Sequence, residues 1–188
     1  MNICIKDFYN EVALDFDKSR VRIWNCVKKY LDFFKPGSYI LDIGCGNGKN
    51  MYYRNDLKFK GIDISNELVK ICKNKGYDVI EGCMTSLPFE NNTFDGLLVV
   101  ASYHHLDNNE ARRIAIEEMY RVVKKNGLIF IEVWAKKFNN ELAEWKGKNN
   151  ITYLRYYHYY TQEELADEII KFKPELKIIN QGYEKENW

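Results

Sequence analysis

Apolar residues recur along the chain in two rhythms. Within residues 7–34, Val21, Trp24, Val27, Leu31 and Phe34 fall at three- and four-residue steps, the stripe of an amphipathic helical region. Pro36-Gly37 closes that region with a turn. Short apolar runs follow at 39–43, 58–63, 77–80, 94–101 and 128–134, and each reads as a strand. Helical stretches are expected between them, at 50–54, at 65–75 and from Asn108 or Asn109 to about residue 125. Ser65 is a natural N-cap, Leu68, Val69 and Cys72 point inward, and Gly76 stops the helix. In the next helix Ala111, Ala115, Met119 and Val122 form the inner stripe, and Asn126-Gly127 ends it. Residues 135–160 are of mixed composition, rich in tyrosine. Thr161 to Glu164 makes a capping box that opens a helix to about residue 173, and 176–183 reads as a last strand.

Strands alternating with helices predict an α/β fold, a doubly wound and mostly parallel sheet. The run Leu97-Leu98-Val99-Val100 is apolar without a break, as a strand covered on both faces requires. Ligands of such sheets sit at the carboxyl ends of the strands. Gly44 to Gly48, Asp63, Cys83 with Met84, and Ser102 to His105 all fall there.

The stretch Leu41-Asp42-Ile43-Gly44-Cys45-Gly46-Asn47-Gly48 breaks a strand into glycines spaced G-x-G-x-G. Glycine permits turn dihedrals closed to other residues and lets backbone approach a ligand. Asp63 ends the next strand about 20 residues on, where a carboxylate reaches ribose hydroxyls. A nucleoside-containing cofactor follows from the two together. The loop lacks the P-loop pattern, and its third glycine comes one residue early for G-x-G-x-x-G, which places a nicotinamide dehydrogenase last among the readings.

The 188 residues suit one domain, and no run approaches the roughly 18 apolar residues of a membrane span. Residues 1–6 carry no secretion signal, and Cys4, Cys26, Cys45, Cys72 and Cys83 show no zinc spacing, so no metal is expected. Reduced thiols and the absence of a signal predict a cytoplasmic, or also nuclear, protein. Net charge is +1, so a basic nucleic-acid surface has to be local. Arg112, Arg113, Lys124, Lys125, Lys136, Lys137, Lys146, Lys148 and Arg155 are its candidates, with solvated faces the plainer reading for most.

The glycine word resembles motif I of class I S-adenosylmethionine (SAM)-dependent methyltransferases, and Asp63 matches their ribose-binding acid. Ser86-Leu87-Pro88-Phe89 and Asn92-Thr93-Phe94-Asp95 resemble their segment around strand four. Further words narrow the likeness: Tyr9-Asn10-Glu11-Val12-Ala13, Phe16 to Arg20, His104-His105-Leu106, Val133-Trp134-Ala135, Arg155-Tyr156-Tyr157-His158-Tyr159-Tyr160 and the ending Asn187-Trp188. In this order they resemble the eukaryotic tRNA wobble-uridine methyltransferases, which methylate the carboxylate of 5-carboxymethyluridine in the anticodon loop. The likeness spans nearly the whole chain. It implies one methyltransferase domain over 1–188: an N-terminal helical cap (1–37), a SAM-binding core (38–134), and a substrate-side and C-terminal segment (135–188).

The resemblance assigns SAM contacts to Asp42, Gly44, Gly46, Asp63, Ile64, Cys83 and Met84. The family carries an acid where this chain has Cys83, so adenine contact falls to the Met84 backbone and apolar groups. Arg155 is expected to clamp the acceptor carboxylate, because a guanidinium grips a carboxylate in a fork. Arg20 is the second choice for that role, or holds the carboxylate of SAM itself. His105 and His158 are candidates to donate a hydrogen bond or stack on a base, and structural histidines read equally well. His104 and Tyr157 complete the acceptor side, with Tyr156, Tyr159 and Tyr160 either a stacking surface for bases or core. The family also implies a small zinc-binding activator subunit. Its members have a longer segment between Trp134 and Arg155, and they close the sheet with an antiparallel hairpin. The chain ends about where the last strand would begin, so that strand is expected to be missing. Two further readings stay open: a small-molecule methyltransferase, and a scaffold without turnover.

Overall fold

A computed structural model describes residues 4–135, 142–146 and 152–183. Lys136, Lys137, Lys148 and the ending at 184–188 lie outside the described residues. Five strands, β1 (Tyr39–Ile43), β2 (Lys58–Asp63), β3 (Val79–Glu81), β4 (Phe94–Val100) and β5 (Val123–Glu132), form a parallel sheet in the order β3-β2-β1-β4-β5.

Strand alternation divides the core between the two faces of this sheet. Leu97 and Val99 of β4 join Leu41 and Ile43 under α5 (Asn109–Val122) and α6 (Gln162–Phe172). Leu98 and Val100 join Ile40 on the other face, against Val27, Tyr30 and Leu31 of α3 (Asn25–Leu31). Burial of each such aliphatic side chain contributes about 1.5–3 kcal/mol. The helix α4 (Asn66–Asn74) packs Val69 and Cys72 against Cys45, Met51 and Val79. Its predicted cap forms, with the Leu68 amide donating to Ser65 Oγ at 3.2 Å. The Thr161 capping box opens α6.

Four expectations are corrected. The helical region 7–34 is three short helices, α1 (Ile5–Glu11), α2 (Ala13–Ser19) and α3, with extended backbone before Asn25. Val21 therefore leaves the stripe and is 66% exposed. The helix expected at 50–54 is a single 3-10 turn, Lys49–Tyr52. β5 starts at Val123, because the ladder with β4 shifts register between Phe94 and Gly96 and absorbs residues up to Asn126, which sits at φ 64°. Residues 176–183 form no strand. The tyrosine-rich stretch contains an antiparallel hairpin, β6 (Leu142–Lys146) and β7 (Thr152–Tyr156), separate from the main sheet. Among the described residues the main sheet has no antiparallel closing hairpin.

Candidate active site

The glycine loop leaves β1 and enters a cavity of about 310 Å³ at the carboxyl ends of β1, β2 and β4. The amides of Gly44 and Cys45 both donate to the Ile62 carbonyl, at 2.8 and 3.1 Å, which pins the loop to the end of β2. Gly44 has φ 70°, and a Cβ on it would stand 2.4 Å from Ser102 Cβ. At Gly46 (φ 57°) the neighbour is the Phe16 ring, 3.0 Å away. Both glycines line the cavity, and both are also required by the protein's own packing.

Asp63 ends β2 at the cavity wall, 6% exposed. Its Oδ2 accepts from the Gly46 amide at 2.7 Å and its Oδ1 from the Ser65 amide at 2.9 Å. Burial pushes its carboxyl up from the usual range while these amides oppose the shift. The carboxylate is thus fixed in orientation, and each oxygen keeps lone pairs for two ligand hydroxyls. Ile64, Cys83 and Met84 continue the wall. Asp42 corrects the expectation that it touches the cofactor. Its side chain lies under the loop on the α3 face, accepts from Asn50 Nδ2 at 3.2 Å, and does not line the cavity. Burial pushes its carboxyl up to about 7.

The opposite wall comes from α1, α2, the 3-10 turn Tyr103–His105, and β7. Arg155 is 7% exposed and lies against three rings, 4.5 Å from the Phe8 centroid, 4.9 Å from Tyr157 and 5.2 Å from Trp145. No carboxylate among the described residues pairs with it. Among the described residues its Nε has no hydrogen-bond partner, and its Nη1 donates a long hydrogen bond to Tyr9 Oη at 3.4 Å. Arg20 also stacks on Trp145, at 5.8 Å. Its pKa is lowered, chiefly by burial.

His105 Nδ1 lies 3.0 Å from the Tyr156 carbonyl, which only accepts, so Nδ1 carries the proton. Its Nε2 then accepts from the Tyr9 hydroxyl at 2.9 Å. Burial holds this ring neutral, with its pKa down to about 3. His104 Nδ1 accepts from the Trp134 amide at 3.2 Å, and burial holds its pKa well below the ordinary value as well. Both histidines line the cavity as neutral rings, as does Tyr157.

One expectation fails here, and one open alternative is decided. His158 is outside the cavity, bonded through Nε2 to Glu164 Oε1 at 2.7 Å at the start of α6. Tyr160 is core, stacked on Tyr103, with its hydroxyl donating to Glu168 at 2.8 Å. Of the candidates for a basic surface, Arg112 is buried against Glu168, Arg113 pairs with Glu110 and Glu117, and Lys124 pairs with Asp95.

Sequence reasoning passed over Asn47, Lys49, Phe8 and Trp145. Asn47 sits inside the glycine word, and its Nδ2 donates to Asp17 Oδ1 at 3.0 Å and to the Arg20 carbonyl at 3.0 Å. It ties the N-terminal segment over the loop. Only its place between two glycines hinted at this.

Residues 41–131 match the family model described as a methyltransferase domain. A tRNA (carboxymethyluridine(34)-5-O)-methyltransferase of Schizosaccharomyces pombe is 30% identical over all of this chain and 94% of its own length. The chain belongs to the tRNA carboxymethyluridine methyltransferase family. An Arabidopsis thaliana protein of the same description is 40% identical over 68% of this chain, which spans 31% of that relative's length. Among solved structures, a SAM-dependent methyltransferase from Methanosarcina mazei has the same fold, with a TM-score of 0.68 at 17% identity over 80% of this chain and 84% of that one. A putative Haloferax volcanii methyltransferase, solved with the Trm112 activator, gives a TM-score of 0.62 at 20% identity over 71% of this chain and 62% of the other. Membership of this family and fold makes SAM the cofactor. The fixed carboxylate of Asp63 beside a glycine floor is a donor set that suits its ribose.

Proposed function

We propose that this protein methylates the carboxylate of 5-carboxymethyluridine at the wobble position of tRNA. The observation that carries the reading is Arg155, a buried guanidinium in the cavity with no carboxylate of its own among the described residues. Bound SAM supplies an electrophilic methyl group on a sulfonium. The acceptor carboxylate has a reference pKa of about 4 and is ionised at neutral pH, so no general base is needed. The neutral His104 and His105 fit that chemistry, since they shape the site without competing for a proton. What the chain has to do is hold one carboxylate oxygen in line, and alignment of this kind supplies about 7–11 kcal/mol in favourable systems. Arg155 and Arg20, which both lie over the Trp145 ring, are placed to do so.

Arg155→Met is expected to leave SAM affinity within about twofold and to cut methyl transfer to carboxymethylated tRNA by about 30-fold or more. Full-rate transfer by that variant would remove Arg155 from the mechanism. The ion-paired state of Arg112, Arg113 and Lys124 favours a second reading, a small carboxylic acid as acceptor. Equal rates on intact tRNA and on the free nucleoside would favour it. A small activator subunit belongs to the proposal, supported by the family and by the Haloferax neighbour's Trm112 complex. So do a single domain over 1–188 and a cytoplasmic setting, supported by five free thiols.

A further inference from the structure

We propose that Lys49 seats the carboxylate at the amino-acid end of SAM, leaving Arg155 and Arg20 to the acceptor. The inference rests on the methyltransferase reading and adds a residue to it. Three cations line the cavity: Arg20, Lys49 and Arg155. They are not equivalent in place. Arg20 and Arg155 share one ring, Trp145 of β6, on the hairpin side. Lys49 stands on the glycine-loop side, in the 3-10 turn that follows Gly48, with Nζ 4.8 Å over the Trp24 ring. That ring face holds the ammonium in place.

No carboxylate among the described residues forms an ion pair with Lys49. Burial is the first cause of its lowered pKa and the nearby Arg20 cation the second, while Asp42 and Glu132 act on it only at longer range. A half-buried ammonium without a counter-ion is costly, and a cavity with three fixed cations draws anions in. Two carboxylates enter this site during methyl transfer, one on the acceptor and one on the cofactor. Arg155 and Arg20, which share the Trp145 ring, answer the first. Lys49, directly after the glycine loop in the same cavity, answers the second.

The test compares two ligands on the full chain by calorimetric titration: SAM, and 5′-methylthioadenosine, which keeps the adenosine and sulfur but lacks the amino-acid end. Lys49→Met is expected to weaken SAM by about 10- to 100-fold and methylthioadenosine by no more than about twofold. Lys49→Arg is expected to regain most of the loss. Retained methylthioadenosine binding also reports that the variant is folded. Equal loss for both ligands, or undiminished SAM binding, would overturn the assignment. So would the selective loss appearing in Arg20→Met instead. A parent protein that bound neither ligand would sink the methyltransferase reading together with this one.

Discussion

Asp42 keeps its proton close to neutrality, and His105 refuses one until the medium is strongly acid. The two make opposite contributions to stability. Asp42 has its folded pKa raised to about 7 from 3.8, so the folded state holds a proton that the unfolded chain releases. Its contribution is full at low pH and is lost as pH rises through that interval. His105 has its pKa lowered to about 3 from 6.5, so its contribution is full at neutral pH and is lost on acidification. His104 has the same sign as His105. Asp42→Asn removes one side of the opposition. Its urea midpoint is expected to climb more steeply with pH between about 4 and 7 than the parent's does. Parallel slopes in the two proteins would contradict the burial assigned to Asp42. The residue also marks what a motif conceals. Spacing located Asp63 and the glycines correctly. It did not say that Asp42, next to Leu41 and Ile43, points to the other face of the strand.

At the level of elements, the sheet was legible because its strands are apolar runs broken by glycine and N-cap signals. The hairpin β6–β7 was not, since Tyr153, Leu154 and Arg155 show no clean apolar–polar alternation and the tyrosines beside them are themselves buried. It is held by a long-range aromatic cluster, Phe8 and Val12 against Tyr153, which no local window displays. The opposite error occurred at 176–183. Ile178 and Ile179 look like strand residues, yet they are exposed and pair with nothing in the main sheet. Asn47 joins α2 to the glycine loop, with Lys75 Nζ on the same Asp17 carboxylate at 2.5 Å. Asn47→Ala is therefore expected to loosen 4–20 from the loop. Stopped-flow displacement should show SAM leaving about tenfold faster, corresponding to roughly one lost hydrogen bond. An unchanged off-rate would mean that the segment is held by its aromatic contacts alone.

The whole molecule places a floor and a roof from distant stretches around one ligand space. Gly44 to Met84 supply the floor. Tyr9, Arg20, Trp145 and Arg155 supply the roof. A ligand that touches both binds only the folded chain. SAM at about 100 times its dissociation constant is then expected to add about 2.7 kcal/mol to unfolding free energy, read from urea titrations. The same addition should slow proteolytic cutting within 4–20. Stabilisation without that protection would place the ligand on the floor only.

Tyr9 and Arg155 lie 146 residues apart in sequence, and their contact joins the two parts of the roof. On the ribosome this separation becomes time. At about 5–20 residues per second, Tyr9 waits roughly 7–30 s for its partner to be made. Over that interval Phe8 and Phe16 have no hairpin to rest on, while β1 to β4 can already pair. The nascent chain therefore carries an uncovered aromatic segment around Phe8 and Phe16 until the hairpin is made, and the cofactor space closes only then.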